Sequence, residues 1–247
     1  MEKRFIPLNA VIALYSVTET SWPRPFFEVG YRLVALEFPL KFDGLPDIVA
    51  DAIGFKASEN RITLHEAKSG TDLREGQAQR YATAPTTYLV RSLSLTVGVG
   101  GDPRVQANYV CLRENEDRIL WCLSQADVDL PLLSVGDKDI TAVGKHFEDR
   151  SLAAAFADPL PIPGIPPGIV TLDAESPDEA FDQVVYPSLV AAAATSVQNI
   201  TVAKLSEESL TYYAVYPPGY QRQLRRKVAE SARRASAADP QHWEFRG

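Results

Sequence analysis

The sequence predicts an α/β domain followed by a helical module, on three observations. Two alternating runs, at 49–55 and 62–68, are joined by a polar turn and followed by a helical pattern, so strands and helices interleave. Between Asp158 and Gly168 lie five of the eighteen prolines, at 159, 161, 163, 166 and 167, a density that forbids helix and central strand. Beyond that linker or extended strap the chain reads as helix. The expected organisation is 1–157, a proline-rich linker at 158–170, and a basic helical module at 171–247. A chain of 247 residues with 45% apolar content has room for one large or two small domains.

From the N-terminus, Lys3-Arg4 ahead of Ala10-Val11-Ile12-Ala13-Leu14-Tyr15 loosely imitates a signal peptide. Pro7 and Asn9 interrupt the apolar stretch, and no small-x-small site follows before Trp22. The segment reads as a buried strand. Pro25 to Leu36 reads as a short helix. Next comes the hairpin, with Lys56-Ala57-Ser58-Glu59-Asn60-Arg61 as its connection, and then a helix over Arg74 to Ala82. Two further strands are expected at 105–112 and 118–123, joined by the acidic turn Glu114-Asn115-Glu116-Asp117. Cys111 and Cys122 fall in these two strands as buried thiols; their spacing fits no zinc pattern, and a reducing cytoplasm is the simplest home. No apolar run approaches the roughly 18 residues of a membrane span.

The hairpin carries the chemistry. Alternation puts Val49, Asp51, Ile53 and Phe55 on one face of the first strand, and Ile62, Leu64, Glu66 and Lys68 on one face of the second. A loop at Ser58-Glu59 sets Asp51 opposite Glu66; a loop at Glu59-Asn60 sets it opposite Lys68. Either register leaves one end of this face apolar and the other acidic. Two carboxylates with a carbonyl and waters suit a hard divalent cation such as Mg²⁺ (or Mn²⁺). Such an ion would polarise a phosphate and acidify an attacking water, with Lys68 beside it to orient that water or stabilise developing charge. His65 points to the opposite face and reads as structural. His146 and His242 are scattered elsewhere.

After Ser69-Gly70, Gln77 and Tyr81 stand four apart and share one helical face. Asp51, Glu66-Ala67-Lys68 and Gln77-x-x-x-Tyr81 together resemble the PD-(D/E)xK nuclease superfamily, nearest its RecB-like branch, over roughly residues 25–125. The resemblance implies a restriction-endonuclease-like mixed sheet of four strands flanked by helices, and metal-dependent hydrolysis of a nucleic-acid backbone. It assigns Asp51 and Glu66 as metal ligands with the Ala67 carbonyl, Lys68 as the catalytic lysine, and Gln77 and Tyr81 to the substrate or metal shell. Pro46-Asp47 spells the literal motif, so Asp47 stands as an alternative or second metal group. Many members add an acid from the first helix, for which Glu28 and Glu37 are candidates. The resemblance further implies DNA as substrate, a restriction or anti-phage defence setting with a protein partner gating activity, and a homo-oligomer.

In the last module, Ser176-Pro177-Asp178-Glu179 opens a helix extending to about Val197. A short helix at 201–208 and a long basic one from Tyr220 to Ala237 follow, making a small helical or winged-helix module. The last helix carries Arg222, Arg225, Arg226, Lys227, Arg233 and Arg234. These cations either track a phosphate backbone, with Arg222, Arg225, Arg226 and Lys227 as contacts, or dock the helix on the acidic body. A net charge of −7 argues against a whole-surface nucleic-acid binder but leaves room for a local basic groove. The alternative function is a non-catalytic nucleic-acid-binding or assembly subunit. The intact set of Asp51, Glu66 and Lys68 favours the enzyme.

Overall fold

The alternating segments assemble into a seven-stranded mixed sheet with helices on both faces. A computed structural model describes residues 2–18, 21–74 and 76–246. Strands β1 (Arg32–Leu40), β2 (Ile48–Lys56) and β3 (Arg61–Lys68) form an antiparallel meander. Strands β4 (Arg104–Leu112) and β5 (Pro131–Val135) continue it in parallel, and β6 (Asp139–Gly144) and β7 (Leu160–Pro161) close it antiparallel, in spatial order one to seven. The fold is therefore α/β, with three more strands than the four expected.

On one face lies α1 (Ile6–Leu14), with α2 (Pro25–Glu28) and α6 (Arg150–Ala155) packed together beside it. On the other lie α3 (Gln77–Ala82), α4 (Thr86–Val97) and α5 (Glu116–Gln125). Tyr81, Leu89, Leu93, Ile119 and Leu123 from these three pack on Ile53, Leu64, Tyr109 and Leu132 of the sheet. Gly54 lets α1 approach: a Cβ there would sit 2.0 Å from the Tyr15 hydroxyl.

Several elements differ from the sequence expectation. The segment expected as an N-terminal strand is helix α1, in which every residue from Pro7 to Leu14 is buried. A segment apolar on all sides carries no period to separate helix from strand, and Pro7 sits in the first turn, where its missing N–H costs nothing. The expected strand at 118–123 is helix α5: Ile119 and Leu123, four apart, are its buried pair, and Glu116 and Asp117 are its first turn. Cys122 is thus helical and only partly buried, while Cys111 lies fully buried in β4; both are free thiols. The expected helix from Pro25 ends at Glu28, and β1 starts four residues later after Gly30 at φ +99°. The helix expected from Arg74 starts at Gln77; Glu75 lies outside the described residues.

The proline-rich segment divides the chain differently from the expectation. The two units are Met1–Ile169 and Val170–Gly247. Leu160 and Pro161 pair with Ile140 and Asp139, and the Ile162 N–H donates to the Lys138 carbonyl, so the stretch is a strap forming the last strand of the sheet. An edge position tolerates proline because one side of the strand needs no ladder bond.

The second unit is helical: α7 (Asp182–Ala194), α8 (Val202–Ser209) and α9 (Pro218–Ala238) close over Phe181, Val185, Leu205, Leu224 and Val228. No strand occurs among its described residues, so the winged-helix variant of the expectation does not hold. Arg234 binds both Asp182 carboxylate oxygens, Ser231 donates to the same carboxylate, and Lys227 donates to Asp178 and to the Ser176 carbonyl.

On the α1 face, His65 is fully buried; its Nε2 is 2.6 Å from the Tyr15 hydroxyl, which also meets Thr63 Oγ1 at 2.7 Å. Burial pushes the His65 imidazole down to about 3. The neutral ring therefore contributes stability that is complete above its ordinary value near 6.5 and lost as pH falls from there toward 3, by up to about 1.4 kcal/mol per pH unit. Unfolding free energies measured between pH 6.5 and 5 should fall more steeply for the wild type than for His65→Gln.

Candidate active site

At their open end β2 and β3 part, and this parting builds the site. Their ladder runs from Lys56↔Arg61 to Ala52↔His65, so the next positions, Asp51 and Glu66, face each other. This is the first of the two registers allowed by the sequence, though the turn is a 3-10 segment, Ala57–Glu59, closed by Asn60 in the left-handed region. Beyond Ala52, the Asp51 carboxylate takes over as acceptor, receiving the Ala67 N–H at 2.5 Å. A side chain thus replaces a ladder bond and is held in place by the strand it faces.

Glu66 is the hub. Its Oε1 accepts from Gln77 Nε2 at 2.8 Å and pairs with Lys68 Nζ at 2.6 Å. Its Oε2 lies 2.5 Å from the Tyr81 hydroxyl, which is also 2.6 Å from the Val49 carbonyl, so one proton serves two acceptors. Lys68 Nζ donates in addition to Gln77 Oε1 at 3.2 Å. Helix α3 presents Gln77 and Tyr81 one turn apart, both buried against β3, as their spacing predicts. Burial, and then the charges of Glu66 and Asp51, push the Tyr81 phenol well above its usual range, so it remains a donor.

Asp51 carries the electrostatic stress of the site. Burial first, then the charges of Glu66 and Glu37, raise its carboxyl well above the usual carboxylate range, against the opposing Ala67 N–H and Lys68. Glu37 occupies the β1 position between the pairs Leu36↔Ala52 and Phe38↔Ala50, opposite Asp51, with its backbone at φ +49°. Glu28, the other acid considered, ends α2, beside α6 on the far side of the sheet. The loop after Lys68 is tied to α5 by Asn115 Nδ2, which donates to the Ser69 carbonyl.

Two expectations change. Asp47 is exposed and precedes the first residue of β2; four residues of extended chain, roughly 13 Å, separate it from Asp51, so the two do not share one ion. In the basic helix, Arg225 donates to the Tyr213 hydroxyl and Lys227 is engaged with Asp178 and Ser176, so both hold the helical unit together. Arg222 and Arg226 stay exposed. The sequence reading missed Tyr109, which β4 places opposite Glu66 with its ring edge-on to Tyr81 at 5.9 Å. That register depends on a crossover of 35 residues between β3 and β4, and no local pattern encodes it.

No group of three or more His, Cys, Asp or Glu side chains able to hold a metal ion occurs among the described residues. The donors brought together are Asp51 and Glu66, hard oxygen ligands at facing positions of β2 and β3. Comparisons with protein-family models, with curated proteins and with solved structures returned no match.

Proposed function

We propose that this chain is a divalent-metal-dependent nuclease of the PD-(D/E)xK type acting on DNA. One observation carries the reading: Lys68, Gln77 and Tyr81 all converge on the carboxylate of Glu66, beside an Asp51 held by the neighbouring amide. A fold has no need to collect a lysine, a glutamine and a tyrosine around one buried acid. The mixed sheet formed by the first four strands, with helices against it, agrees with the architecture that the resemblance implies.

The donor set fits Mg²⁺ or Mn²⁺ and not a closed three- or four-ligand site, because Mg²⁺ keeps several waters and binds through one or two carboxylates plus phosphate oxygens. Asp51, Glu66 and the Ala67 carbonyl would hold it. Such an ion supplies Lewis-acid polarisation of the phosphate and a more acidic water. Gln77 and Tyr81 fix the orientation of Glu66, and the Ala67 N–H fixes Asp51. Lys68 has three donors; Glu66 and Gln77 occupy two, and the third is available to phosphate charge as it develops.

Purified protein incubated with supercoiled plasmid, linear duplex and single-stranded DNA, with Mg²⁺, Mn²⁺ or EDTA, tests the reading. Cleavage of at least one DNA that EDTA abolishes is expected. Metal-independent binding with no cleavage of any of them would instead indicate a non-catalytic subunit. Of the basic helix, Arg222 and Arg226 are the cations proposed for phosphate contact. Arg222→Glu with Arg226→Glu should leave the melting temperature unchanged and flatten the log-log salt dependence of duplex binding by about 0.9 per lost contact. Arg225→Glu should lower the melting temperature, because it breaks the Tyr213 contact.

A further inference from the structure

Tyr109 is completely buried in β4, and its hydroxyl has no hydrogen-bond partner among the described residues. The phenol stands opposite Glu66 in the parallel ladder, and its ring packs edge-on to Tyr81, the residue that donates to Glu66. The charges acting on its hydroxyl are those of Glu66 and Asp51, opposed by Arg80; with burial as the largest cause, they raise its ionisation far above the usual range. The neutral phenol keeps its proton and so can donate, from the β4 position opposite Glu66. Leaving a buried hydroxyl unsatisfied carries a desolvation penalty that phenylalanine in the same space would avoid.

We infer that Tyr109 is a positioning residue for the divalent-cation state of the site, its hydroxyl serving as a donor to the oxygen cluster of Asp51 and Glu66 when that cluster carries a cation. The inference rests on the metal-dependent reading above and extends it to a residue outside the acid–acid–lysine set. Here Glu66 accepts from Gln77 and Lys68 at Oε1 and from Tyr81 at Oε2, and the Tyr109 hydroxyl donates to neither oxygen. A cation brings additional oxygens, in its waters and in any phosphate, and re-partitions the existing donors. A donor whose ring is already fixed by burial and by packing on Tyr81 loses little entropy in serving them.

Tyr109→Phe retains the ring and removes only the oxygen. Two measurements on purified protein without substrate decide the matter: the melting temperature in EDTA, and Mn²⁺ affinity by titration calorimetry. The expected result is a melting temperature in EDTA equal to or above that of the wild type, with Mn²⁺ binding weakened about tenfold, the scale of losing a partner of a metal ligand. An unchanged Mn²⁺ affinity would overturn the inference, and so would a lowered melting temperature in EDTA, which would make the hydroxyl a fold contact. A wild-type protein that binds no Mn²⁺ would overturn the metal-dependent reading itself, and that failure shows in the wild-type titration alone.

Discussion

Asp51→Asn is expected to raise the melting temperature of the metal-free protein and to abolish cleavage in the same variant. Asparagine can still accept the Ala67 N–H, so the bond that holds the splayed strands is retained. What disappears is a carboxyl whose ionisation is opposed by burial, by Glu66 and by Glu37. The sign follows from linkage. The folded carboxyl titrates above its unfolded value near 3.9, so the fold binds the proton more tightly, and stability is lost as pH climbs from about 4 through the raised value. Metal uptake must displace that proton, so cation affinity should rise with pH over the same window. Melting curves of both proteins in EDTA at pH 5 and pH 8 should show the variant gaining most at pH 8. A variant less stable than the wild type at both values would contradict the assignment of Asp51 as a strained functional acid. Lys68→Ala should likewise lose cleavage by at least about a hundredfold, the scale of removing one charge-stabilising donor.

The largest stability loss should come from the opposite side of the sheet. Asp149 is 3% exposed and gathers four donors: the Ser151 and Leu152 amides at the start of α6, the Tyr31 hydroxyl and the Lys56 ammonium. Burial raises its carboxyl, but the bonds from Lys56, Ser151 and Tyr31 outweigh this and hold it below the usual range. Lys56 is itself 5% exposed, and its other charged partner among the described residues is the more exposed Glu59. Asp149→Ala should therefore cost about 3–5 kcal/mol, the range for leaving one member of a buried pair uncompensated. Asp149→Asn, which can still cap the helix and accept from Tyr31, should cost less. Because the native carboxyl is depressed, its contribution is complete above the unfolded value near 3.9 and disappears as pH falls through the folded value, so the wild-type advantage over Asp149→Ala should shrink in acid. Urea denaturation at pH 7 and pH 3 measures both effects.

The candidate site was legible in the sequence to the extent that it is local. The alternation of 49–55 and 62–68, with a turn short enough to allow few registers, narrowed the partner of Asp51 to Glu66 or Lys68, and the ladder selects Glu66; the spacing of Gln77 and Tyr81 placed both on one turn of α3. Wherever position depended on distant chain, no local pattern fixed it. Tyr109 reaches Glu66 only through the crossover, and Glu37 reaches Asp51 from a β1 whose local reading was helix. Helices α1 and α5 were misread as strands because short, densely apolar segments lack the polar intervals that reveal a period. The role of the basic helix divided for a related reason. Its composition shows six cations, but the acids that engage Lys227 and Arg234 lie 49 and 52 residues earlier, at Asp178 and Asp182.

The central claim is that Asp51, Glu66 and Lys68 form one metal-dependent hydrolytic centre. The most direct test is a time course of DNA cleavage by the wild type and by Lys68→Ala, run in parallel at a Mg²⁺ concentration shown by calorimetry to saturate both. The account predicts that the wild type cuts, that EDTA stops it, and that Lys68→Ala binds metal and DNA but does not cut. Cleavage by Lys68→Ala at the wild-type rate, or a metal-saturated wild type that cuts no DNA, would contradict it.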